Sequence, residues 1–335
     1  MKVCIVGAGA IGGYMAVRIA NAGHNVSVIA RGPHLAAIKA RGMKLIEEND
    51  EFVAENLTAT EFVGELGPMD VVLLALKAHQ IVPIVNDMSV LLGPNTVIVT
   101  LQNGIPWWYF QNFVGDYANR VVETVDPGGL LFKSIDPDRL IGCIAYPATT
   151  ISKPGVIQHI EGNRFPVGEL CGMKTERVQM VSDLFTESGF KSRILDDIRS
   201  EIWLKLWGNL TFNPISALTH STLFDICQFP LTRQLAATMM TEAQTVGERL
   251  GAHFRIPMEK RIAGAESVGK HKTSMLQDVE AGKPVEIESM LGAVIELAEV
   301  TGVQTPTLRA IYACVSLLDK RQGQEKIVIK GITKE

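Results

Sequence analysis

The stretch Lys2-Val3-Cys4-Ile5-Val6-Gly7-Ala8-Gly9-Ala10-Ile11-Gly12 decides the fold of this chain. Its first half is an apolar run of strand length, and its second half carries three glycines in the pattern G-x-G-x-x-G. A helical pattern over residues 14–21 follows directly, and Gly23 stands where a helix cap is expected. A strand, a glycine turn and a helix in this order are typical of a dinucleotide-binding unit.

Each glycine has its own part in such a unit. The first permits a tight turn, the second lets the backbone approach a pyrophosphate, and the third lets the helix pack closely on the strand. The helix N-terminus then faces the negative charge of the phosphates. We therefore predict a cofactor-binding loop made of Gly7, Ala8, Gly9, Ala10, Ile11 and Gly12. A glycine turn with a purely structural role is the alternative.

The rest of the chain divides into a strand-rich half and a helical half. Apolar runs at residues 3–6, 26–29, 71–76 and 97–101 leave room for helices between them, which predicts a parallel sheet with crossover helices. Residues 121–167 suggest an antiparallel extension of this sheet, and beyond residue 195 the patterns are helical. We predict an α/β fold, with a Rossmann-type doubly wound domain over residues 1–195 and an all-helical domain over residues 196–335.

Composition narrows the class of partner. The 335 residues carry a formal net charge of -4, so there is no basic excess to neutralise a nucleic acid backbone. No apolar segment approaches the ~18 residues of a membrane span, and no charged leader precedes the first strand, which predicts a cytoplasmic protein. Five scattered cysteines without a C-x-x-C pair predict no metal site. A small-molecule ligand is the expected partner.

Arg31 bears on the kind of dinucleotide. An NAD-binding domain places a carboxylate on the ribose hydroxyls about 20 residues beyond the loop. This chain has Arg31 in that neighbourhood and no Asp or Glu between Ile29 and Leu35. A guanidinium there would pair with a 2'-phosphate, so we expect NADP(H). A solvated surface arginine is the alternative.

The predicted helix over residues 198–212 is apolar almost all round, which indicates burial. Lys205 and Asn209 nevertheless stand four residues apart, and Asn213 follows after four more, just before Pro214. Such a line of polar groups on a buried helix is best explained by a ligand site. Lys205 could then protonate a carbonyl oxygen as a general acid. A lysine that reaches from the helix to water is the alternative.

Several ordered blocks resemble the ketopantoate reductase family. The first is Glu201-Ile202-Trp203-Leu204-Lys205-Leu206-Trp207-Gly208-Asn209, which continues to Asn213-Pro214-Ile215-Ser216-Ala217-Leu218. Further blocks lie at residues 274–278, 282–288, 76–78 and 102–104, so the likeness runs from the N-terminal loop to past residue 300. The resemblance implies NADPH-dependent reduction of a 2-oxo acid to a 2-hydroxy acid.

The resemblance also implies roles for single residues. Lys205 matches the family's general acid, and Glu286 matches the carboxylate that holds a substrate hydroxyl and orients the lysine, in preference to Glu288. Asn209 and Asn213 match substrate-binding asparagines, and Ser274 matches a serine near the substrate carboxylate. Asn103 and Lys77 match residues at the edge of the nicotinamide and substrate, and we assign both to the cofactor site.

Two departures from the family pattern concern the substrate. His271 stands where better-known members have a substrate-binding asparagine, so we assign His271 to the substrate site. Trp107, Trp108 and Tyr109 add aromatic bulk after Gly104, either as a hydrophobic lid or as core packing. Both departures bear on which 2-oxo acid is bound and leave the implied reaction unchanged.

The leading expectation is reduction of ketopantoate (2-dehydropantoate) to pantoate in pantothenate biosynthesis. A related dehydrogenase of another 2-oxo or 3-hydroxy acid is the alternative among enzymes, and a non-catalytic NADP(H)-binding sensor is the alternative outside them. Lys205, Asn209 and Glu286 argue against a sensor, which has no use for an ordered proton donor. We also expect a homodimer.

Overall fold

The strands of the molecule follow the apolar runs of the sequence. The computed structural model describes residues 1–77 and 80–325. Its strands are β1 (Lys2–Val6), β2 (Asn25–Ile29), β3 (Met43–Glu47), β4 (Asp50–Ala54), β5 (Thr58–Thr60), β6 (Met69–Leu74), β7 (Leu92–Thr100), β8 (Leu140–Cys143), β9 (Ala148–Lys153), β10 (Val156–Glu161), β11 (Val167–Glu169) and β12 (Ile194–Leu195).

Helices connect the strands and make up the second half of the chain. They are α1 (Ala10–Asn21), α2 (Gly32–Arg41), α3 (Leu130–Ser134), α4 (Glu176–Glu187), α5 (Ile198–Thr219), α6 (Leu223–Gln228), α7 (Pro230–Arg249), α8 (Met258–Ser267), α9 (Ser274–Glu280), α10 (Ala293–Thr301) and α11 (Pro306–Glu325). Short 3-10 segments lie at Val63–Glu65, Val82–Leu91, Pro127–Gly129 and Pro137–Arg139, and a π-helical turn at Glu288–Gly292 precedes α10.

An eight-stranded sheet organises the first half of the described chain, in the order β12-β11-β8-β7-β6-β1-β2-β5. Every neighbouring pair from β8 to β5 is parallel, whereas β11 runs antiparallel to β8. The order reverses at β1, which has β2 on one side and β6 on the other. The predicted α/β class, with a parallel N-terminal sheet and a helical second half, is confirmed. Such a reversal point is where open α/β sheets bind ligands.

A second sheet, in the order β4-β3-β10-β9, covers the outer side of α1. Gly13 lies so close to it that an added Cβ would be 2.6 Å from Ile157 Cδ1. The sequence pattern predicts that residues 121–167 extend the main sheet, and this prediction is wrong for β9 and β10. Strands β9 and β10 leave the main sheet because β10 pairs with β3. Ile157 is the partner of Leu45 in this pairing, and both side chains are fully buried.

Helix α5 continues through Pro214 to Thr219, although the sequence pattern predicts its end at residue 212. A proline inside a helix removes one backbone hydrogen bond. Burial of Ile215 and Ala217, which are 2% and 0% exposed, offsets this loss. Helix α9 begins at Ser274, because the Thr273 side chain caps it by accepting from the Leu276 amide at 3.3 Å.

Contacts between Cα atoms divide the chain into two compact units. Unit 1 comprises Met1–Gln102, Trp107–Val121 and Gly128–Ile198, and unit 2 comprises Asn103–Pro106, Val122–Pro127 and the residues from Arg199 onward. A single boundary at residue 195 stays a prediction. Within the described ranges, no helix combines the length and apolar character needed to cross a bilayer.

Aromatic packing fixes the orientation of α5 within unit 2. Trp203 and Trp207 are fully buried, and the Trp207 indole donates to the Met240 carbonyl of α7 at 2.7 Å. The ring of Phe254 meets Trp207 edge-on, with centroids 4.9 Å apart. These contacts determine which side chains of α5 stay accessible.

Candidate active site

The three loop glycines of unit 1 each lie where a side chain would be costly or would take up ligand space. Gly7 has a φ of +106°, and an added Cβ would be 2.7 Å from Leu76 Cδ2. An added Cβ at Gly12 would be 2.0 Å from the Gly7 carbonyl oxygen. At Gly9, by contrast, an added Cβ would meet no described atom within 4 Å. Gly9 therefore borders open space at the N-terminus of α1.

This open space is part of a cavity of about 490 Å³, a size typical of small-molecule sites. Its lining comprises Gly7, Ala8, Gly9, Ile29, Ala30, Arg31, His34, Leu76, Gln80, Pro83, Ile84 and Ile151. Arg31 is exposed at the N-cap of α2. Gly9 is the N-cap residue of α1, and among the described residues no side chain caps the first amides of this helix. The first amides of α1 and one guanidinium can therefore both face an anion.

Not all of the predicted cofactor residues line this cavity. Ala10 and Ile11 begin α1 and are half-buried, and Gly12 packs against β1. Lys77 is half-buried just beyond β6, and its amide donates to Gln80 Oε1 at 3.2 Å. Asn103 belongs to unit 2 and does not line this cavity either. The cofactor-site assignments of these residues stay predictions.

His34 also belongs to the cavity wall, although it is not among the residues predicted from the sequence. Its Nδ1 accepts a hydrogen bond from the Gly155 amide at 3.0 Å, in the turn between β9 and β10. Burial lowers the pKa of His34, while the backbone of Ala8 acts in the opposite direction. Its spacing of three residues from Arg31, on one face of α2, is the signal by which it could have been found.

Helix α5 of unit 2 has two half-buried polar side chains on an otherwise buried surface. From Ser200 to Ala217 every residue is buried except Lys205 and Asn209. The four-residue spacing puts them on one face, one turn apart. Asn209 has no side-chain hydrogen-bond partner among residues 1–77 and 80–325. Its amide is therefore available to a ligand.

A chain of hydrogen bonds joins three of the predicted residues inside unit 2. Lys205 Nζ donates to Asn103 Oδ1 at 2.6 Å, and Asn103 Nδ2 donates to Glu286 Oε2 at 3.4 Å. The Asn103 amide thus offers its oxygen to the ammonium and its nitrogen to the carboxylate. Val285, next to Glu286, is held by Asp319 Oδ1, which accepts from its amide at 2.9 Å.

A second polar contact lies one turn further along α5. The Asn213 side chain donates to Ser274 Oγ at 3.5 Å, which brings these two predicted residues together. His271 lies before α9, where its carbonyl accepts from the Leu223 amide at 3.1 Å. Within the described chain, no hydrogen bond joins the His271 ring to Asn213 or Ser274. The substrate role of His271 stays a prediction.

Glu288 and the aromatic segment at residues 107–109 have structural roles. The Tyr312 hydroxyl donates to both carboxylate oxygens of Glu288, at 2.9 and 3.0 Å. Burial, followed by the hydrogen bond and charge of Glu288, raises the pKa of Tyr312. Trp107, Trp108 and Tyr109 are each at most 1% exposed, and Trp108 donates to Thr100 Oγ1 at 3.0 Å. The open choice between lid and core packing is settled as core packing.

Two protein-family models match the chain. One is described as ketopantoate reductase PanE/ApbA and matches residues 3–171. The other is described as ketopantoate reductase PanE/ApbA C terminal and matches residues 197–319. Together they cover most of the sequence.

Individual proteins agree with the models over nearly full lengths. A 2-dehydropantoate 2-reductase from Mesorhizobium japonicum is 49% identical over 324 residues, which is 96% of this chain and 99% of the relative. A crystal structure from Ralstonia solanacearum MolK2 is 34% identical, with a TM-score of 0.92 over 96% of this chain and 98% of that chain. The crystal structure of 2-dehydropantoate 2-reductase from Geobacter metallireducens GS-15 is 25% identical, with a TM-score of 0.82 over 95% and 99%.

The burial of His34 predicts a pH-dependent stability of the protein. Folding lowers the pKa of His34, so the unfolded chain binds a proton at this residue more readily than the folded one. The contribution of neutral His34 to the free energy of unfolding is therefore complete above about pH 6.5 and declines as the pH falls below it. We expect His34→Gln to reduce this decline in urea unfolding measured between pH 7.5 and 5.5. Replacement of the exposed His253 by Gln is the control. An unchanged pH dependence in His34→Gln would contradict the view that burial of neutral His34 causes this decline in stability.

Proposed function

The chain belongs to the ketopantoate reductase family of oxidoreductases, and we propose that it catalyses the NADPH-dependent reduction of 2-dehydropantoate to pantoate, a step of pantothenate biosynthesis. The observation that carries this proposal is the bond from Lys205 Nζ to Asn103 Oδ1 at 2.6 Å, on the accessible face of a buried helix. The Mesorhizobium relative, named for this reaction and 49% identical, supports the choice of substrate.

Reduction of a ketone needs a hydride for its carbon and a proton for its oxygen. Bound nicotinamide supplies the hydride. Negative charge develops on the oxygen as the hydride arrives, so a proton donor at that atom stabilises the transition state more than the ground state. Lys205 is this donor in our proposal, and Asn103 and Glu286 hold its ammonium in one orientation.

The remaining polar groups fit the other end of a 2-oxo acid. Asn209 offers a side-chain amide one turn from Lys205, and Asn213 with Ser274 offers a further amide and a hydroxyl. Such neutral donors bind a carboxylate or hydroxyl and add no competing charge beside the ammonium. We assign substrate binding to Asn209, Asn213 and Ser274, with His271 as a fourth contact.

The cofactor preference rests on Arg31. Its guanidinium is exposed on the cavity wall, where it can form charge-assisted hydrogen bonds with a 2'-phosphate. The adjacent segment offers no carboxylate between Ile29 and Leu35 to receive ribose hydroxyls. We therefore propose NADP(H) over NAD(H). A homodimer and a cytoplasmic location also stay predictions.

An assay across 2-oxo acids tests the proposed activity. Purified protein should oxidise NADPH when ketopantoate is added, with a higher kcat/KM than for pyruvate, 2-oxoisovalerate or phenylglyoxylate. Preference for another member of the panel would favour a related dehydrogenase. NADPH binding without turnover on any of these acids would favour a sensor and contradict the proposal.

Replacement of Lys205 tests the proton donor. Lys205→Ala should lower kcat by about 10²- to 10⁴-fold, the usual contribution of a general acid. NADPH affinity, measured by fluorescence titration, should change little, because the phosphates bind elsewhere. Lys260→Ala, at an exposed position of α8, is the matched control. A near-normal kcat in Lys205→Ala would remove the lysine from this role.

Replacement of Arg31 tests the cofactor assignment. Arg31→Ala should weaken NADPH binding by roughly 10- to 100-fold, as expected for lost hydrogen bonds to a charged group. NADH binding should be almost unchanged, because NADH has no 2'-phosphate. Lys39→Ala, exposed near the end of the same helix, is the control. An unaltered ratio of the two dissociation constants would refute the phosphate contact.

A further inference from the structure

A π-helical turn at Glu288–Gly292 leads directly into α10. At its end the Ala293 amide donates to the Glu288 carbonyl, five residues back. In an α-helix this amide would donate to the Ser289 carbonyl instead. π-helical turns are rare and occur frequently at functional sites.

The Ser289 carbonyl accepts a hydrogen bond from outside the helix. The Ile105 amide donates to it at 2.8 Å. Both residues belong to unit 2, where the segment Asn103–Pro106 is grouped with the helices. The π-turn therefore supplies an acceptor that anchors this segment directly beside Asn103.

Gly104 allows this anchor to form. Its φ is +85°, in the left-handed region that favours glycine, and an added Cβ would lie 2.1 Å from the Ser289 carbonyl oxygen. The backbone of Gly104 thus packs directly on the acceptor that Ile105 uses. Any other residue would have to push the segment away from the turn.

We propose that the π-turn, through the Ser289 carbonyl and Gly104, positions Asn103 and through it the Lys205 ammonium and the Glu286 carboxylate. This inference rests on the proposed function, because it assigns the turn to the orientation of the proton donor. Ser289 and Gly104 are positioning residues, since their effect on the reaction passes through the Asn103 amide.

Geometry explains why such an anchor matters. Asn103 must direct its oxygen at Lys205 and its nitrogen at Glu286 together, at 2.6 and 3.4 Å. A backbone shift of about 1 Å would lengthen one bond beyond hydrogen-bond distance, and misplacement of this size can cost about 10²-fold in rate. The anchor at Ile105 and the close packing of Gly104 on Ser289 oppose such a shift.

The turn and the adjacent helix α10 also make contacts that support the fold of unit 2. Glu296 of α10 accepts from the amides of Glu123 and Thr124 at 2.8 and 2.7 Å, and so holds the second short segment of unit 2. Gly292 lies close to the Glu288 carboxylate that Tyr312 binds. A structural role predicts loss of stability without a selective loss of kcat.

Gly104→Ala tests the inference against a closely matched control. Gly251 has a φ of +83°, and an added Cβ there would meet no described atom within 4 Å, so Gly251→Ala introduces the backbone strain without the clash. Gly104→Ala should lower kcat for ketopantoate by roughly 10- to 100-fold. Its NADPH dissociation constant should stay close to wild type, and Gly251→Ala should keep normal kcat.

An Asn103→Ala background separates positioning from general damage. If Gly104 acts through Asn103, adding Gly104→Ala to Asn103→Ala should cause almost no further loss of kcat. Losses that multiply, or an equal loss of NADPH affinity, would overturn the inference. If the wild-type protein were inactive on every 2-oxo acid, the proposed function itself would be refuted. Assays of wild type and variants side by side therefore distinguish failure of the proposed function from failure of this inference.

Deletion of Gly292 is the second variant. It shortens the turn by one residue, so that Ala293 reaches Glu288 in α-helical register and the Ser289 carbonyl returns to the ladder. The expected result is the same selective loss of kcat without any added Cβ, and almost no further loss when the deletion is added to Asn103→Ala. Retained kcat, or loss of NADPH binding in both variants, would overturn the inference, because the turn would then serve the fold.

Discussion

The hydrogen bond from Lys205 to the Asn103 oxygen is the interaction on which the candidate site depends. An ammonium on a mostly buried helix costs several kcal/mol unless polar groups receive it. The helix can carry Lys205 because Trp203 and Trp207 direct the apolar surface elsewhere and leave one polar face at Lys205 and Asn209. In the proposed mechanism, Asn103 orients this charge so that Lys205 acts as the proton donor. Each of these features has a single physical cause, so each can be tested separately.

Two anchors made by the region around α10 organise the short segments of unit 2 that lie far from it in sequence. The Ser289 carbonyl holds Ile105, and the Glu296 carboxylate holds Glu123 and Thr124.

In unit 1, the three loop glycines act by different means: a left-handed turn at Gly7, open space at Gly9 and close packing at Gly12. In both units, residues without catalytic atoms determine where the reactive groups lie.

The parts of the fold and site that sequence could predict are those that depend on local pattern. The glycine loop follows a strand and opens a helix, and the spacing of Lys205 and Asn209 on an apolar helix follows from the helical period. The course of β9 and β10 could not be predicted, because it depends on burial of Ile157 beside Leu45. The path of α5 through Pro214 and the π-turn likewise depend on tertiary packing that overrides local preference. Resemblance to a family indicated Glu286 rather than Glu288, and the contact of Glu288 with Tyr312 gives a physical reason for that choice.

A double-mutant cycle on Lys205 and Asn103 tests the central claim most directly. The quantity to measure is the rate constant of NADPH oxidation in single turnovers with saturating ketopantoate, for wild type, Lys205→Ala, Asn103→Ala and the double variant. Residues that act as a unit give losses that are far from additive in free energy. The account predicts that the double variant is no slower than Lys205→Ala alone. Rate losses that multiply would contradict it, because Asn103 would then act on the reaction independently of the lysine.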